Sequence, residues 1–138
     1  MMDTEKILKR HKLRVTPFRE EVLSLFTGSD MALSSNDLES KLQNPDRITL
    51  YRTLKSFEEM GIIHKAFDGT NTQKYALCEA DCDEHDHHDE HVHFHCETCQ
   101  NTFCLDHVYV PKIEMPNGFV AKQTNMVVNG VCQNCILN

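Results

Sequence analysis

Between Cys82 and Cys99, the eighteen residues CDEHDHHDEHVHFHCETC hold six histidines, six carboxylates and three cysteines. Imidazole nitrogens, thiolates and carboxylate oxygens at this density are candidate metal ligands. The most specific spacing in the chain is Cys96-x2-Cys99 together with Cys132-x2-Cys135. Two such knuckles supply four soft thiolates, the set used by a closed tetrahedral structural zinc site. The 32 residues between the pairs exceed the spacing of a simple zinc ribbon, so a strand-rich segment must fold back to unite them. The bland alternative is two unrelated reduced thiol pairs.

The elements that must position these groups follow from residue alternation. In HVHFHC, His91, His93 and His95 share one face of a strand while Val92, Phe94 and Cys96 share the other. TFCL and FVAKQTNMVVNGVC read as further strands. DHVYVPKIEMPNG between them holds two prolines without helical period, so it reads as a loop or irregular ribbon. Upstream, Cys82, His85, His87 and His88 sit in an acidic run that reads as a solvated interdomain linker over residues 79–90.

Residues 4–60 obey a different period. Ile7 and Leu8, then Val22, Leu23 and Phe26, then Leu38 and Leu42, then Leu50, Leu54 and Phe57 recur at helical spacing, which predicts four short helices. Thr16 before Pro17, Ser34 or Ser35, and Asp46 after the Asn44-Pro45 break are the expected caps. GIIHKAF and TQKYALC, separated by Asp68-Gly69-Thr70-Asn71, read as a hairpin. Helices followed by a hairpin predict a winged helix-turn-helix over residues 1–78. With Leu50, Leu54 and Phe57 facing the core, Thr49, Arg52, Thr53 and Ser56 are expected on the outer face of the fourth helix. Those residue types suit a major groove, and equally an ordinary polar helix face.

Charge divides at the same boundary. The net charge is -7, yet residues 1–78 carry twelve Lys/Arg against eleven Asp/Glu, and residues 79–138 two against ten. The first half is thus free to meet phosphate, and the acidic second half to take up cations. The N-terminus has no apolar leader and no stretch approaches a bilayer span of roughly 18 apolar residues, so the expected location is cytoplasmic, with no membrane partner. Seven cysteines there point to ligands more than to disulfides.

Enzymes were weighed against this pattern. His95-Cys96-Glu97 with Cys132-x2-Cys135 superficially matches the zinc-deaminase signature, but Val131 replaces its proline and Cys99 completes a four-thiolate set with no open position for water. A zinc-dependent hydrolase or deaminase is therefore the weaker alternative, and no catalytic residue is assigned. A metal-buffering protein would not require a winged helix.

The stretches HKLRVTPFREEVL, SSNDLESKL, ITLYRTLKSFEEMGII, HVHFHCETC and GVCQNC together resemble the ferric uptake regulator superfamily of metal-dependent repressors over nearly the whole chain. The resemblance implies an α+β protein: an N-terminal winged-helix domain, and a small β-rich dimerisation domain over 91–138 stapled by structural zinc. It implies binding of double-stranded operator DNA as a homodimer. It places Tyr51 and Arg52 at recognition-helix positions, Arg14 near the minor groove, and Cys96, Cys99, Cys132 and Cys135 on the structural zinc.

The chain also departs from the iron-type pattern. Met31-Ala32 replaces a histidine before the third helix, Ala76 a glutamate on the second wing strand, Val92 an aspartate and Thr124 a late histidine, and the helix usual between Leu105 and Phe119 is missing. GIIHK and YALC resemble the zinc uptake regulator branch, which implies His64, Cys78, His91 and His93 as ligands of a regulatory zinc, making two zinc ions per chain. Three imidazoles and one thiolate suit Zn(II), whereas iron and manganese sites lean on oxygen. One ion would then tie the two domains together and select the DNA-competent form, repressing metal-uptake genes. An iron- or peroxide-responsive regulator of the same superfamily is the alternative. His95, Cys104, Asp106 and His107 are assigned to neither site, and an additional site drawing on them stays open.

Overall fold

Asp3, Thr16, Ser34 and Asp46 each precede a helix and each turns a side-chain oxygen onto a backbone N–H of its first turn, at 3.0, 3.2, 3.1 and 3.3 Å. They start α1 (Thr4–Arg10), α2 (Pro17–Thr27), α3 (Ser35–Lys41) and α4 (Arg47–Glu59), the four helices expected from the apolar period. Ser34 and Asp37 satisfy each other's backbone N–H in a capping box. Asn44 turns through a positive φ of 42° before Pro45, which separates α3 from α4. The computed structural model describes residues 3–78, 91–122 and 124–137, without the side chains of His91, Asp106 and His107.

The inward stripes of the four helices make one core around Leu8, Leu23, Leu38, Leu50 and Phe57, all 2% exposed or less. The end of α4 directs the chain onward. Gly61 adopts φ 81°, the Gly61 N–H bonds Glu58 O and the Ile62 N–H bonds Phe57 O, a Schellman turn with both Ile62 and Phe57 in the core. That turn launches β2 (Ile63–Lys65), which pairs antiparallel with β3 (Lys74–Leu77) in the register Ile63↔Leu77, His64↔Ala76 and Lys65↔Tyr75. A short β1 (Leu33–Ser34) adds to the far edge of β3, giving the order β1-β3-β2. The paired part of the wing is shorter than the two runs predicted, and β1 was not foreseen.

The C-terminal sheet has the order β5-β4-β6. In it β4 (His91–Cys96) lies antiparallel to β5 (Thr102–Tyr109) and parallel to β6 (Val127–Gly130). Two expectations need correction. First, β5 continues as regular strand for four residues into the stretch that reads as loop or irregular ribbon. Its register slips between His91 and His93, so His91 lies opposite Tyr109 while His93 lies opposite Cys104, and the bulge absorbs the extra length. Second, among the described residues of the run 119–132, strand is found only at Val127–Gly130, where β4 offers partners from His93 to Cys96. Α short helix α5 (Gln133–Ile136) follows. Between Leu105 and Phe119 no helix forms, as the departure from the family pattern predicted. The architecture is thus α+β, a winged helix-turn-helix followed by a β-rich region.

The two parts touch along β5. Met31 bridges Phe103, and the Ala32 N–H donates to Thr102 O at 2.7 Å. Ala32, Ala66 and Ala76 form a small buried cluster against Cys104. Side chains this small let the backbones approach closely. Among the described residues no helix is long and apolar enough to cross a membrane.

Phe57 is fully buried and sits at the turn that aims the wing. Phe57→Ala should cost about 3 to 5 kcal/mol, read as a lower urea midpoint of the helical circular-dichroism signal. A midpoint within error of wild type would show that this core does not hold the N-terminal domain.

Candidate metal centres

Cys96, fully buried, ends β4, and the chain reverses at once. The Gln100 N–H returns to Cys96 O at 2.9 Å with Gln100 at φ 64°. Backbone N–H groups of Cys99 and Cys132 point at Cys96 Sγ from 3.5 and 3.4 Å. β6 delivers the second knuckle by running parallel beside β4, with Gly130 opposite Cys96. A Cβ on Gly130 would stand 3.1 Å from the Phe94 ring, so a larger residue there would require the ring to shift by a few tenths of an ångström. Cys132 then caps α5, and Cys135 follows one turn later.

The four sulfurs all lie within 4.8 Å of one another, with Cys99 and Cys132 at 3.9 Å. Tetrahedral coordination with Zn–S near 2.3 Å would place its sulfurs about 3.8 Å apart. The donor set therefore fits a thiophilic divalent ion. Backbone donors pull the Cys96 thiol down to about 6, while hydrogen bonding with Cys132 and then burial push Cys135 up to about 12. Crowded sulfurs resist ionising together, and a coordinated cation removes that conflict. None of the six described cysteines is in a disulfide.

A second cluster spans the two parts of the fold. The ligand atoms of His64, His93 and Cys104 also lie within 4.8 Å of one another. His64 Nε2 stands 3.6 Å from Cys104 Sγ, and the His64 and His93 rings are 5.7 Å apart at 52°. One imidazole and one thiolate on a tetrahedral zinc would be about 3.5 Å apart. His64 and His93 are buried and Cys104 is half-buried. Ala76, the cross-strand partner of His64, is small enough to leave this space open.

The structure brings together two of the four residues expected to hold a regulatory ion. His64 and His93 come together, and Cys104 joins them, although it was assigned to neither site. Its signal was present: counting outward from the knuckle, where the Cys96 N–H bonds Asn101 O, pairs Phe94 with Phe103 and His93 with Cys104. Cys78 is not within the converging group but is buried and follows Ala76 by two, on the same face of the wing as His64. The side chain of His91, together with Asp106 and His107, lies outside the described residues, as do Cys82, His85, His87, His88 and the predicted linker.

On α4, Tyr51 (58% exposed) and Arg52 face solvent, as does Arg14 ahead of α2. The Thr49 hydroxyl donates to Oδ2 of the N-cap Asp46 at 2.7 Å, so it braces the cap as well as lining the outer face of the helix. Ser56 is half-buried. Thr53 must be removed from the outer face. It is 7% exposed and its hydroxyl donates back to Thr49 O at 2.8 Å, because it borders the Leu50–Leu54–Phe57 stripe.

Comparison with known proteins agrees with this layout. The model of the ferric uptake regulator family matches residues 10–131. The ferric uptake regulation protein of Bordetella parapertussis is 31% identical over 143 residues, covering 97% of this chain and 97% of that protein. The peroxide operon regulator of Bacillus subtilis is 25% identical, covering 93% of this chain and 88% of that one. A zinc uptake regulator solved in complex with zinc and DNA is 27% identical with a TM-score of 0.65, covering 96% of this chain and 90% of that one.

Cys132→Ser should remove one tightly held metal equivalent per chain and lower the thermal midpoint, because binding free energy at such a site is partly folding free energy. Elemental analysis and calorimetry on the same preparation check this, and full metal content with unchanged melting would refute the four-thiolate assignment.

Proposed function

Because the chain belongs to the ferric uptake regulator family, we propose that it is a zinc-responsive DNA-binding transcriptional repressor that controls metal-uptake genes in the cytoplasm. The observation that carries this reading is the meeting of His64 from the wing with His93 and Cys104 from the C-terminal sheet. A zinc ion bound there supplies a tie between the DNA-binding and dimerisation domains. The residues do the rest. His64 is three positions beyond the turn that closes α4, so fixing its imidazole fixes the orientation of the recognition helix. A ligand can shift such an equilibrium only through its differential affinity for the two forms, and ligands contributed from both domains provide that difference.

The proposed regulatory site keeps His64 and His93 and adds Cys104, with Cys78 or His91 completing it. Cys96, Cys99, Cys132 and Cys135 hold the structural zinc, making two ions per chain. Thiolate ligation supports zinc over iron or manganese. Relatives named for iron uptake and for peroxide make an iron- or peroxide-responsive regulator the second reading.

Operator DNA is met by Arg14, Thr49, Tyr51, Arg52 and Ser56 in this reading, with Thr53 withdrawn. Exposed apolar side chains on the C-terminal region, among them Tyr109, Phe119, Val120, Ile136 and Leu137, suit cover by a second copy in a homodimer. The deciding experiment compares operator binding by the purified protein with zinc, iron and manganese at controlled free concentrations. Activation by iron alone would replace this reading with the second one.

His64→Ala and Cys104→Ser should each abolish zinc-activated DNA binding while the four-cysteine metal stays in place. If both variants respond at the wild-type free zinc, the regulatory site lies elsewhere. Arg52→Ala should weaken operator binding with metal content and dimerisation intact, by about 1 to 3 kcal/mol with relaxed specificity at one position if it reads a base. Equal affinity of variant and wild type would remove α4 from the recognition role.

A further inference from the structure

Two residues before Ala76 on the same face of β3, Lys74 turns a charged group into the junction between the domains. Its Nζ lies 2.9 Å from Asp68 Oδ2, 3.1 Å from Thr102 Oγ1 and 3.1 Å from Gln100 O. The Asp68 side chain is 1% exposed and that of Lys74 11%. The two belong to the wing, Thr102 and Gln100 to the C-terminal sheet. Thr102, fully buried, donates its hydroxyl to Asp68 Oδ2 at 2.7 Å and accepts the Ala32 N–H at its carbonyl. His95, its partner across β4, sets Nδ1 3.2 Å from the same hydroxyl.

The two oxygens of Asp68 divide the work. Oδ1 accepts the backbone N–H and the hydroxyl of Thr70 at 2.9 and 2.6 Å, which shapes the wing loop, and Oδ2 reaches across the junction. Burial opposes ionisation of this carboxyl, but donors from Thr70, Lys74 and Thr102 hold it well below the usual carboxylate range. A buried ion pair adds little net stability against an apolar substitute, yet losing one partner is severe. Such a network discriminates strongly between the arrangement that satisfies it and one that does not. Opening the domains would strip Asp68 Oδ2 of Thr102 and Lys74 of Thr102 and Gln100. None of these groups belongs to either cluster of metal ligands.

We propose that Asp68, Lys74 and Thr102 form a metal-independent latch that holds the wing on the C-terminal sheet and so sets how much zinc closure requires. They are positioning residues: they touch neither DNA nor metal and act by setting the orientation of the wing that carries His64. The zinc arm rests on the function proposed above. The latch determines the fraction of regulatory-site-free protein already closed, and the apparent dissociation constant of a ligand for the closed form is its intrinsic constant divided by that fraction. A latch weakened until the closed fraction falls tenfold should therefore raise the zinc midpoint about tenfold, with full occupancy recovered at saturation.

The Ala32 amide reports closure without metal or DNA, since its hydrogen bond crosses the junction, whereas the Ile62 amide, bonded to Phe57 O, reports only the helical core. Hydrogen exchange at both is measured on full-length protein that retains its four-cysteine metal and has an empty regulatory site, for wild type, Asp68→Asn and the near-isosteric Thr102→Val. The latch predicts that Ala32 exchanges about tenfold faster or more in both variants, with Ile62 unchanged. It also predicts a zinc midpoint displaced upward by the factor by which the closed fraction falls. Unchanged Ala32 exchange in both variants overturns the proposal, as does acceleration shared equally by Ile62, which would mark plain destabilisation. A zinc midpoint that stays put while Ala32 exchanges at the rate of an unprotected amide, so that the closed form is a minority, would also sink it. If wild type shows no zinc response at all, the proposed function fails and the exchange result still judges the latch.

Discussion

Four sulfurs gathered within 4.8 Å are the constraint on which the C-terminal half depends. Among the described residues, the apolar side chains that half buries fully are Val92, Cys96 and Cys132, whereas the N-terminal helices share a continuous core of leucine, isoleucine and phenylalanine. A sheet so poor in core has little hydrophobic free energy to fix its register. The knuckle fixes it instead. Its turn pairs Cys96 with Asn101, and every pairing on that side of β4 as far as His93 and Cys104 follows by counting from there. A slip of one residue would send Cys104 to the opposite face. The spanning cluster is therefore a consequence of the four-cysteine cluster, although no residue is common to both.

On the other side of the junction the placement of His64 is set by a helix. The Schellman turn at Gly61 joins α4 to β2 with no slack, its two hydrogen bonds and the Ile62–Phe57 contact making one rigid unit. β3 then sorts its residues by period two. Lys74, Ala76 and Cys78 are buried toward the junction, and Tyr75 and Leu77 pack on the helical core. One strand and the residue that follows it thus carry an ion-pair residue, a space-making alanine and a thiol on one face. Alanine at position 76 is not a mere loss of a carboxylate ligand, because a longer side chain opposite His64 would compete for the volume in which His64 and Cys104 meet.

What the sequence disclosed follows the range of the interactions involved. Helix caps at Thr16, Ser34 and Asp46 and the apolar stripes on α2 and α4 are local, and they were legible. The thiolate quartet was legible because its spacing is specific. Cys104 was missed because its role depends on a register that only the closed knuckle reveals. Thr53 was misplaced because a helical wheel assigns a boundary residue to whichever face the eye prefers, while its hydroxyl had a partner within its own helix at Thr49 O. The Asp68–Lys74–Thr102 network was invisible because its members come from positions up to 34 residues apart and none has a suggestive neighbour. Buried polar networks are set by tertiary contact, and the local sequence carries no period for them.

The division of ligands also limits what a bound ion can do. His93 and Cys104 face each other on adjacent strands of one sheet and stay together whether the domains meet or part. An ion held by these two alone would bind open and closed forms alike and shift nothing, however tightly it bound. The switching free energy in the proposed mechanism therefore comes from what the wing adds, namely His64 with Cys78 beside it on the same face. Moving such an equilibrium from 1:99 to 99:1 needs a difference of about 10⁴-fold in affinity. The contacts already present at the junction, from the small alanine cluster to the Ala32–Thr102 hydrogen bond, reduce the share that the wing ligands must supply. Responsiveness is then a balance between two wing features a few residues apart: His64, which makes closure depend on metal, and Asp68 with Lys74, which make it partly independent of metal.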